Sequence, residues 1–384
     1  MKWILAVCLF LHFSWAVENP LTIKGFDHFY NLECDEAIAI FQKAVDAAPD
    51  DADNWNHLAQ SILYRAMFRG GALESELVSG NNPFYARSKL TTSEEDHKVF
   101  DEAVRRALTI SSAAVLRNSK DSKALYAQGI TYAIRSNYNF LVRKAWRDSL
   151  RDATTARITH NKVSEIEPNL VDARLLQGLH DYIVGSLPFG YRMLGFLAGI
   201  RGDKEQGIKT LEMVAQKGET TRLDAQIVLG VTYRRERQPQ KAIALLEPLI
   251  QRFPRNYLFR FEMVQMLADS GRKDDALRVL EDLEKLKQNF DVSKIHYSRG
   301  NLLFWYREYD AALSSLAKVT GRAIQLEGNT GLNAWLRTGQ CFDIKGQRAK
   351  ALEAYRQAVN AAPDSDAGKE AKRYLSSPFK RANQ

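Results

Sequence analysis

The feature that most constrains this fold is a small residue that recurs at nearly even intervals along the second half of the chain. The intervals are 35, 34, 36 and 39 residues, and the recurring residues are Gly207, Ala242, Ala276, Ala312 and Ala351. Apolar stripes of helical period surround these positions, and no segment shows sustained alternation of the β type. A unit of this length is a pair of antiparallel helices that must stack on its neighbours to bury its apolar faces. The chain is therefore predicted to be an all-α solenoid.

The last unit, "AWLRTGQCFDIKGQRAKALEAYRQAVNAAPD", indicates what each position does. Gly339 and Ala351 are small enough to let the two helices approach closely, and Tyr355 fills the space between units. Gly346 separates the helices, and Pro363 ends the second one. These residues and their spacing strongly resemble the tetratricopeptide repeat (TPR) family. The resemblance implies a right-handed α-solenoid whose concave groove is lined by the first helix of each pair.

The same pattern, moved along the chain, predicts about eight helix pairs. Three of the pairs are enlarged by insertions at about residues 68–97, 137–151 and 184–201. The other predicted divisions are N-terminal units at 17–67, irregular units at 68–217, a regular array at 218–363, and a capping helix with a basic tail at 364–384. The polar amphipathic sequence "SDAGKEAKRYLSS" is typical of a helix that closes the open end of a stack.

Residues 1–16, "MKWILAVCLFLHFSWA", combine Lys2, a short apolar core and a small residue on each side of Trp15. This is the pattern of a cleaved secretion signal. A short membrane anchor is the alternative, but about a dozen apolar residues are too few to cross a hydrocarbon core roughly 30 Å thick. We therefore expect an exported protein, located in the bacterial periplasm, or secreted if the cell has no outer membrane.

The sequence shows no catalytic or metal-binding constellation. Its seven histidines form neither an H-E-x-x-H pair nor a Cys/His cluster at metal spacing, and it has no phosphate-binding loop or nucleophile elbow. The formal charge of +8 is spread along the chain without basic runs interleaved with aromatics, which argues against nucleic-acid binding. We expect no enzyme activity, no cofactor and no metal. A weaker alternative is a hydrolase with its site in the long loop at 68–97.

The concave face is the predicted binding site. Positions three before, one after and four after the small residue of each first helix share one side of that helix. The candidate partner-binding residues at such positions are Arg234, Phe261, Gln265, Tyr297, Asn301, Phe304 and Gln340. Amides can bond the backbone of an extended peptide while aromatics hold its side chains, although ordinary packing between repeats is the alternative for Phe261 and Phe304. Ile227 and Val231 stand where the carboxylate clamp of some TPR proteins needs Lys and Asn, so that clamp is not expected.

The stretch "VGSLPFGYRMLGFLAGIRGD", at 184–203, is the most apolar one after the first twenty residues. Phe189, Met193 and Phe196 fall on one stripe of an extra helix. About thirteen residues are too few to span a bilayer, so we interpret the stretch as a helix packed on the solenoid. Contact of the three side chains with a membrane or a partner is the alternative. Residues 171–217 also resemble, locally, the inclusion-body-clearance group of membrane-associated TPR proteins, which implies membrane proximity and no particular function.

These observations predict an exported TPR scaffold that binds a protein or peptide partner through its groove and acts in cell-envelope assembly. The alternative is a peripheral membrane-associated protein that uses the apolar insert at 184–201. The sequence leaves the identity of the partner and the oligomeric state open.

Overall fold

The computed structural model describes residues 19–73, 89–190, 192–193, 201–286, 290–323, 326 and 329–381. Within these ranges the chain forms seventeen α-helices, one π-helical turn and one short 3-10 helix, and no strand. Several predicted features lie outside them: the signal sequence at 1–16, residues 74–88 of the first insertion, and residues 191 and 194–200 of the third.

The helices follow one another with short connections. Their bounds are α1 (Pro20–Tyr30), α2 (Cys34–Ala47), α3 (Ala52–Arg69), α4 (Glu94–Arg117), α5 (Ser122–Tyr138), α6 (Trp146–Ile166), α7 (Leu175–Gly185), α8 (Lys204–Lys217), α9 (Arg222–Arg235), α10 (Pro239–Arg252), α11 (Tyr257–Asp269), α12 (Lys273–Lys285), α13 (Ser293–Trp305), α14 (Tyr309–Thr320), α15 (Thr330–Ile344), α16 (Arg348–Ala361) and α17 (Asp366–Ser376). The π-helical turn is Asn139–Arg143, and the 3-10 helix is Val171–Arg174.

Consecutive helices pack as eight antiparallel pairs, from α1–α2 to α15–α16, and α17 packs against the last pair. Each recurring small residue lies in the second helix of its pair and is buried there. Gly207 is buried in α8, and the equivalent alanines in α10, α12, α14 and α16 have no exposed surface. The prediction of a TPR-like α-solenoid with about eight helix pairs and a C-terminal capping helix is confirmed.

The segment at 137–151, predicted to be an insertion, is the end of α5, the π-helical turn and the start of α6. The buried carboxylate of Asp152, on α6, accepts a hydrogen bond from Arg135 Nε at 2.8 Å and one from Asn139 Nδ2 at 3.1 Å. These bonds tie the end of α5 to α6. The extra residues therefore lengthen an ordinary helix pair and do not displace its second helix.

The N-terminal pair reaches back to the middle of the array. The hydroxyl of Tyr30 donates to Asp224 Oδ1 on α9 at 3.0 Å, and Asn256 Nδ2 donates to the carbonyl oxygen of Tyr30 at 2.7 Å. Arg255, between α10 and α11, donates from Nε to Glu33 Oε1 at 2.6 Å. We call these five residues the clasp. The clasp joins positions that are 194 to 226 residues apart, and it closes the solenoid on itself.

The apolar core reflects this closure. One continuous cluster of buried side chains extends from α1 to α13, whereas the C-terminal helices hold two smaller clusters of their own. The closed turn therefore ends near α13, and the last two pairs extend beyond it.

Candidate partner-binding groove

A cavity of about 200 Å³ lies between the concave face of the array and the N-terminal pair. Its concave wall comes from the first helices α9, α11 and α13, and its opposite wall includes Phe29, Tyr30 and Leu32 at the end of α1. Ile227 and Val231 add apolar surface where a carboxylate clamp would need polar groups. We call this cavity, with the concave surface around it, the groove. Its lining is mostly apolar, so the groove suits an apolar group of a ligand better than a charged one.

Most of the predicted binding residues meet in this place. Five of the seven line the cavity, namely Arg234, Phe261, Gln265, Tyr297 and Asn301. They come from three consecutive first helices, and the spacing rule therefore selects the face of α9, α11 and α13 that lines the cavity.

The structure places Phe304 and Gln340 outside the cavity. Phe304 is fully buried, with the ring of Phe379 at 6.2 Å between centroids and the guanidinium carbon of Arg337 at 4.3 Å from its own centroid. Gln340 is buried as well, and its Nε2 donates to Glu370 Oε1 on α17 at 3.3 Å. The C-terminal helix and tail therefore cover two positions that stay open in the middle of the array.

An ion pair is buried in the wall of the groove. Arg234 Nη1 donates to Glu262 Oε2 at 2.8 Å, and the two side chains are only 9% and 10% exposed. Buried charges are tolerated when they are paired, so each residue depends on the other. The pair links α9 to α11 and so holds the first helices of two neighbouring helix pairs in a fixed position relative to each other. Sequence reasoning found Arg234 and missed Glu262, because Glu262 follows Phe261 directly and lies off the expected concave positions.

Asn301 offers an unused hydrogen-bond acceptor in the same wall. Its side-chain oxygen is buried and has no partner within the part of the chain that the structure describes. Buried polar atoms in folded proteins are nearly always hydrogen bonded. An unpaired acceptor beside a cavity therefore indicates that a ligand in the cavity supplies the missing donor. The oxygen can accept an N–H group from a ligand in the groove.

Trp305 marks the end of the groove next to the C-terminal tail, and its indole is half exposed. The guanidinium carbons of Arg337 and Arg381 lie 5.2 Å and 5.3 Å from the centre of this ring. Arg381 Nη2 also donates to the carbonyl oxygen of Trp305 at 2.9 Å. The two cation–π contacts hold the indole in place beside the cavity. Sequence reasoning missed this residue, which lies one position beyond the last concave position of its helix.

The clasp contains a titratable group, the carboxyl of Asp224, which lies where α1 meets α9. Burial raises the pKa of Asp224 to about 6, and the hydrogen bond from Tyr30 opposes this rise only in part. Burial, together with the carboxylate of Asp224, also raises the pKa of Tyr30 and of Tyr64. The charged form of Asp224 is therefore disfavoured in the closed chain.

The Asp224→Asn variant tests this electrostatic strain. Its amide oxygen can still accept from Tyr30, but it cannot ionise. In the wild type the carboxyl has a pKa of about 6 when folded and roughly 3.9 when unfolded. The folded state therefore holds more protons between these values, and its stability falls as the pH rises through this range. We expect the variant to be about 3 kcal/mol more stable than the wild type at pH 7.

Urea unfolding at several pH values measures this difference. The advantage of the variant should shrink as the pH falls from about 6 to about 4. A variant that is equally stable, or less stable, at pH 7 would show that the ionised carboxylate is not strained.

The other predicted contact residues that the structure describes, Phe189 and Met193, do not line the groove cavity. Phe189 and Met193 are 71% and 45% exposed, and Phe196 lies outside the described residues. His180, an isolated histidine of α7, directs its Nε2 at the carbonyl oxygen of Arg201, 3.0 Å away. Within the described ranges, no three His, Cys, Asp or Glu residues come together as a metal site would require.

A closed stack of helix pairs with a concave groove defines a helical-repeat protein, and the comparisons with known proteins specify the repeat. Residues 233–302 and 333–365 match two family models, both described as Tetratricopeptide repeat. These segments are tetratricopeptide repeats, as the sequence predicted. The proposed local likeness of 171–217 to the inclusion-body-clearance group stays a prediction. The search of curated proteins finds no match.

Several solved structures are similar to the chain at low sequence identity. The APC/C hetero-tetramer Cut9-Hcn1 shares 15% identity at a TM-score of 0.49, over 92% of this chain and 55% of that one. Yeast Tom70 shares 12% at a TM-score of 0.40, over 93% of this chain and 87% of that one. YrrB, described as a TPR protein with an unusual peptide-binding site, shares 17% at 0.29, over 68% and 97%. The chain thus spans about half the length of the first of these structures.

Proposed function

We propose that this chain is a scaffold that binds an extended segment of a protein or peptide partner in the groove and places one large apolar side chain of that segment in the cavity. Tetratricopeptide repeats support the general role of a protein-binding scaffold, since stacked repeats create extended concave binding surfaces. The observation that carries the specific proposal is the preformed apolar cavity between α1 and the concave face.

The size of the cavity supports a side chain as its occupant. Sites for drug-sized molecules occupy about 300–1,000 Å³, whereas an apolar cavity of roughly 150 Å³ holds a benzene molecule. The cavity of about 200 Å³ therefore fits one aromatic or leucine-sized group. The rest of the partner would lie along the concave surface outside it.

The polar groups of the wall support an extended backbone as the remainder of the ligand. Asn301 Oδ1 is a buried acceptor for a backbone N–H, and Trp305 supplies a fixed aromatic surface next to it. One unmet hydrogen bond of this kind is worth about 1 kcal/mol, or roughly fivefold in affinity. The apolar anchor therefore contributes most of the binding energy, and the amide orients the chain.

Filling the cavity tests the proposal. Ala268 lies in its lining, so the Ala268→Phe variant places a ring where the anchor of the partner would go. Peptides selected on the intact wild-type protein from a random display library should bind this variant at least about tenfold more weakly, because a large apolar side chain contributes several kcal/mol when it is buried. Fluorescence anisotropy of the selected peptides measures the change.

The matched control is Ala317→Phe, because Ala317 is an exposed alanine on α14 far from the cavity lining. Selected peptides should bind this control as they bind the wild type. Failure to select any peptide, or equal binding to the Ala268→Phe variant, would contradict the proposed function.

Location in the cell envelope belongs to the same proposal, and the secretion-like pattern at 1–16 supports it. Cell fractionation that finds the protein in the cytosol with an intact N-terminus would contradict it.

The hydrolase alternative depends on the loop at 68–97, and no described side chain of that loop supports it.

A further inference from the structure

Exposed apolar side chains are concentrated in one part of the molecule. Twelve large apolar side chains are exposed among the described residues, and seven of these lie within a stretch of 48 positions. The seven are Trp146, Leu150, Ile158, Ile183, Leu187, Phe189 and Met193. Single exposed apolar residues need no explanation, whereas a cluster of large ones marks an interaction surface.

The fold places these residues on two consecutive helices that pack against each other and on the segment that follows them. Trp146, Leu150 and Ile158 share one side of α6, while Asp152 and Val163 on its other side are buried. The next helix, α7, returns antiparallel to α6, and Arg157 is close enough to interact electrostatically with His180. Ile183 and the residues that follow it therefore emerge beside the N-terminal half of α6.

Basic side chains accompany the apolar ones. Arg147, Arg151 and Lys162 are exposed on α6, and Arg192 is exposed in the segment after α7. The acidic residues on this side of α6 are Asp148, which accepts a hydrogen bond from Arg151 Nη2 at 2.7 Å, and the exposed Glu165, so the four basic side chains outnumber them. Positive charge therefore exceeds negative charge around the patch.

The combination favours a lipid surface over a protein as the occupant. Helices that lie in a membrane interface carry Trp and bulky aliphatic residues on one side and Lys or Arg beside them. In addition, α6 is the second helix of its pair, and none of its residues is among those that line the groove cavity. None of the helices in the described ranges is both long and apolar enough to cross a bilayer, so the contact would be peripheral.

We propose that the outer face of α6, with the exposed residues at the end of α7 and directly after it, docks on the surface of an anionic bilayer. Leu150 and Ile158 enter the interface between headgroups and acyl chains, and Arg147 and Lys162 contact the anionic headgroups. This surface is separate from the groove, which lies on the inner side of the solenoid. The groove therefore remains open to a partner while the protein is on the membrane.

Vesicle flotation with the intact protein tests this assignment. The protein should float with vesicles of phosphatidylcholine mixed with phosphatidylglycerol and should float poorly with phosphatidylcholine alone. Combined replacement Leu150→Asn and Ile158→Asn should weaken partitioning by at least about tenfold, since two apolar side chains leave the interface. Combined replacement Arg147→Gln and Lys162→Gln should weaken it by more than about tenfold, since each basic residue contributes roughly fivefold near an anionic surface.

The matched control is Leu116→Asn on α4, where Leu116 is 87% exposed and lies outside the patch. All of these side chains are exposed, so circular dichroism should show unchanged thermal midpoints. The proposal is overturned if the intact protein does not float with the anionic vesicles, which would assign the patch to a protein contact. It is overturned equally if both lipid compositions bind alike, or if Leu116→Asn weakens flotation as much as the α6 variants do.

Discussion

Replacing Arg234 by alanine is expected to lower the free energy of unfolding by about 3–5 kcal/mol, because the change removes the guanidinium that pairs with the buried carboxylate of Glu262. Both side chains are about nine-tenths buried in the wall of the groove. Loss of the ion pair also removes one link between α9 and α11, which both line the groove. The affinity for a groove ligand should therefore decrease as well. Chemical denaturation of the variant and the wild type measures the first effect.

Two comparisons separate this effect from a general loss of charge. Arg272→Ala removes an exposed ion pair with Asp275 on the same array and should change stability by less than about 1 kcal/mol. The double variant Arg234→Met with Glu262→Leu should recover most of the lost stability, since an apolar pair of similar size can replace a buried ion pair. A loss below about 1 kcal/mol in Arg234→Ala would mean that water reaches Glu262.

The second large effect is expected for Gly207→Val at the contact between α7 and α8. A Cβ atom at this position would lie 2.4 Å from the backbone nitrogen of Tyr182 and 2.8 Å from the carbonyl oxygen of Gly178. Neither atom can move without shifting α7 itself. We expect a loss of about 3 kcal/mol in the free energy of unfolding, at the upper end of what overpacking usually produces.

A second helical glycine provides the control. A Cβ atom at Gly230 would meet no other atom within 4 Å, although Gly230 also lies inside a helix of the array. Gly230→Ala should therefore raise stability by about 0.5–1 kcal/mol, because alanine is the better helix former. If Gly207→Val left the stability unchanged, the close approach of α7 and α8 would not be essential to the fold.

The repeat could be read from the sequence because it is a local property. Each small residue marks the place where the two helices of its pair pack closely. The intervals between these residues give the length of the repeat unit. The same logic identified the lining side of α9, α11 and α13, where Arg234, Phe261 and Asn301 face the cavity.

The rule failed where parts of the chain outside the repeat cover its surface. Phe304 follows the same spacing as Asn301, but Phe379 and Arg381 of the C-terminal tail pack on it. Gln340 is bonded by Glu370 of the capping helix. A spacing pattern contains no information about what a capping segment will bury.

The clasp could not be predicted for a related reason. Its position depends on the small rotation between neighbouring pairs, summed over several pairs, and no single residue encodes that sum. Arg255 and Asn256 read in sequence as an ordinary turn before α11. Only the completed superhelix brings them to Tyr30 and Glu33.

The clasp also determines when the first part of the chain can finish folding. Most solenoids contain only contacts between neighbouring units, so an N-terminal pair can fold as soon as the next pair has been synthesised. Here α1 must wait for residues 194 to 226 positions later before its last hydrogen bonds can form. Contacts between positions so far apart in the sequence form more slowly than contacts within a helix pair. The α1–α2 pair, although it is synthesised before the rest of the described array, is therefore among the last parts of this array to reach its native contacts.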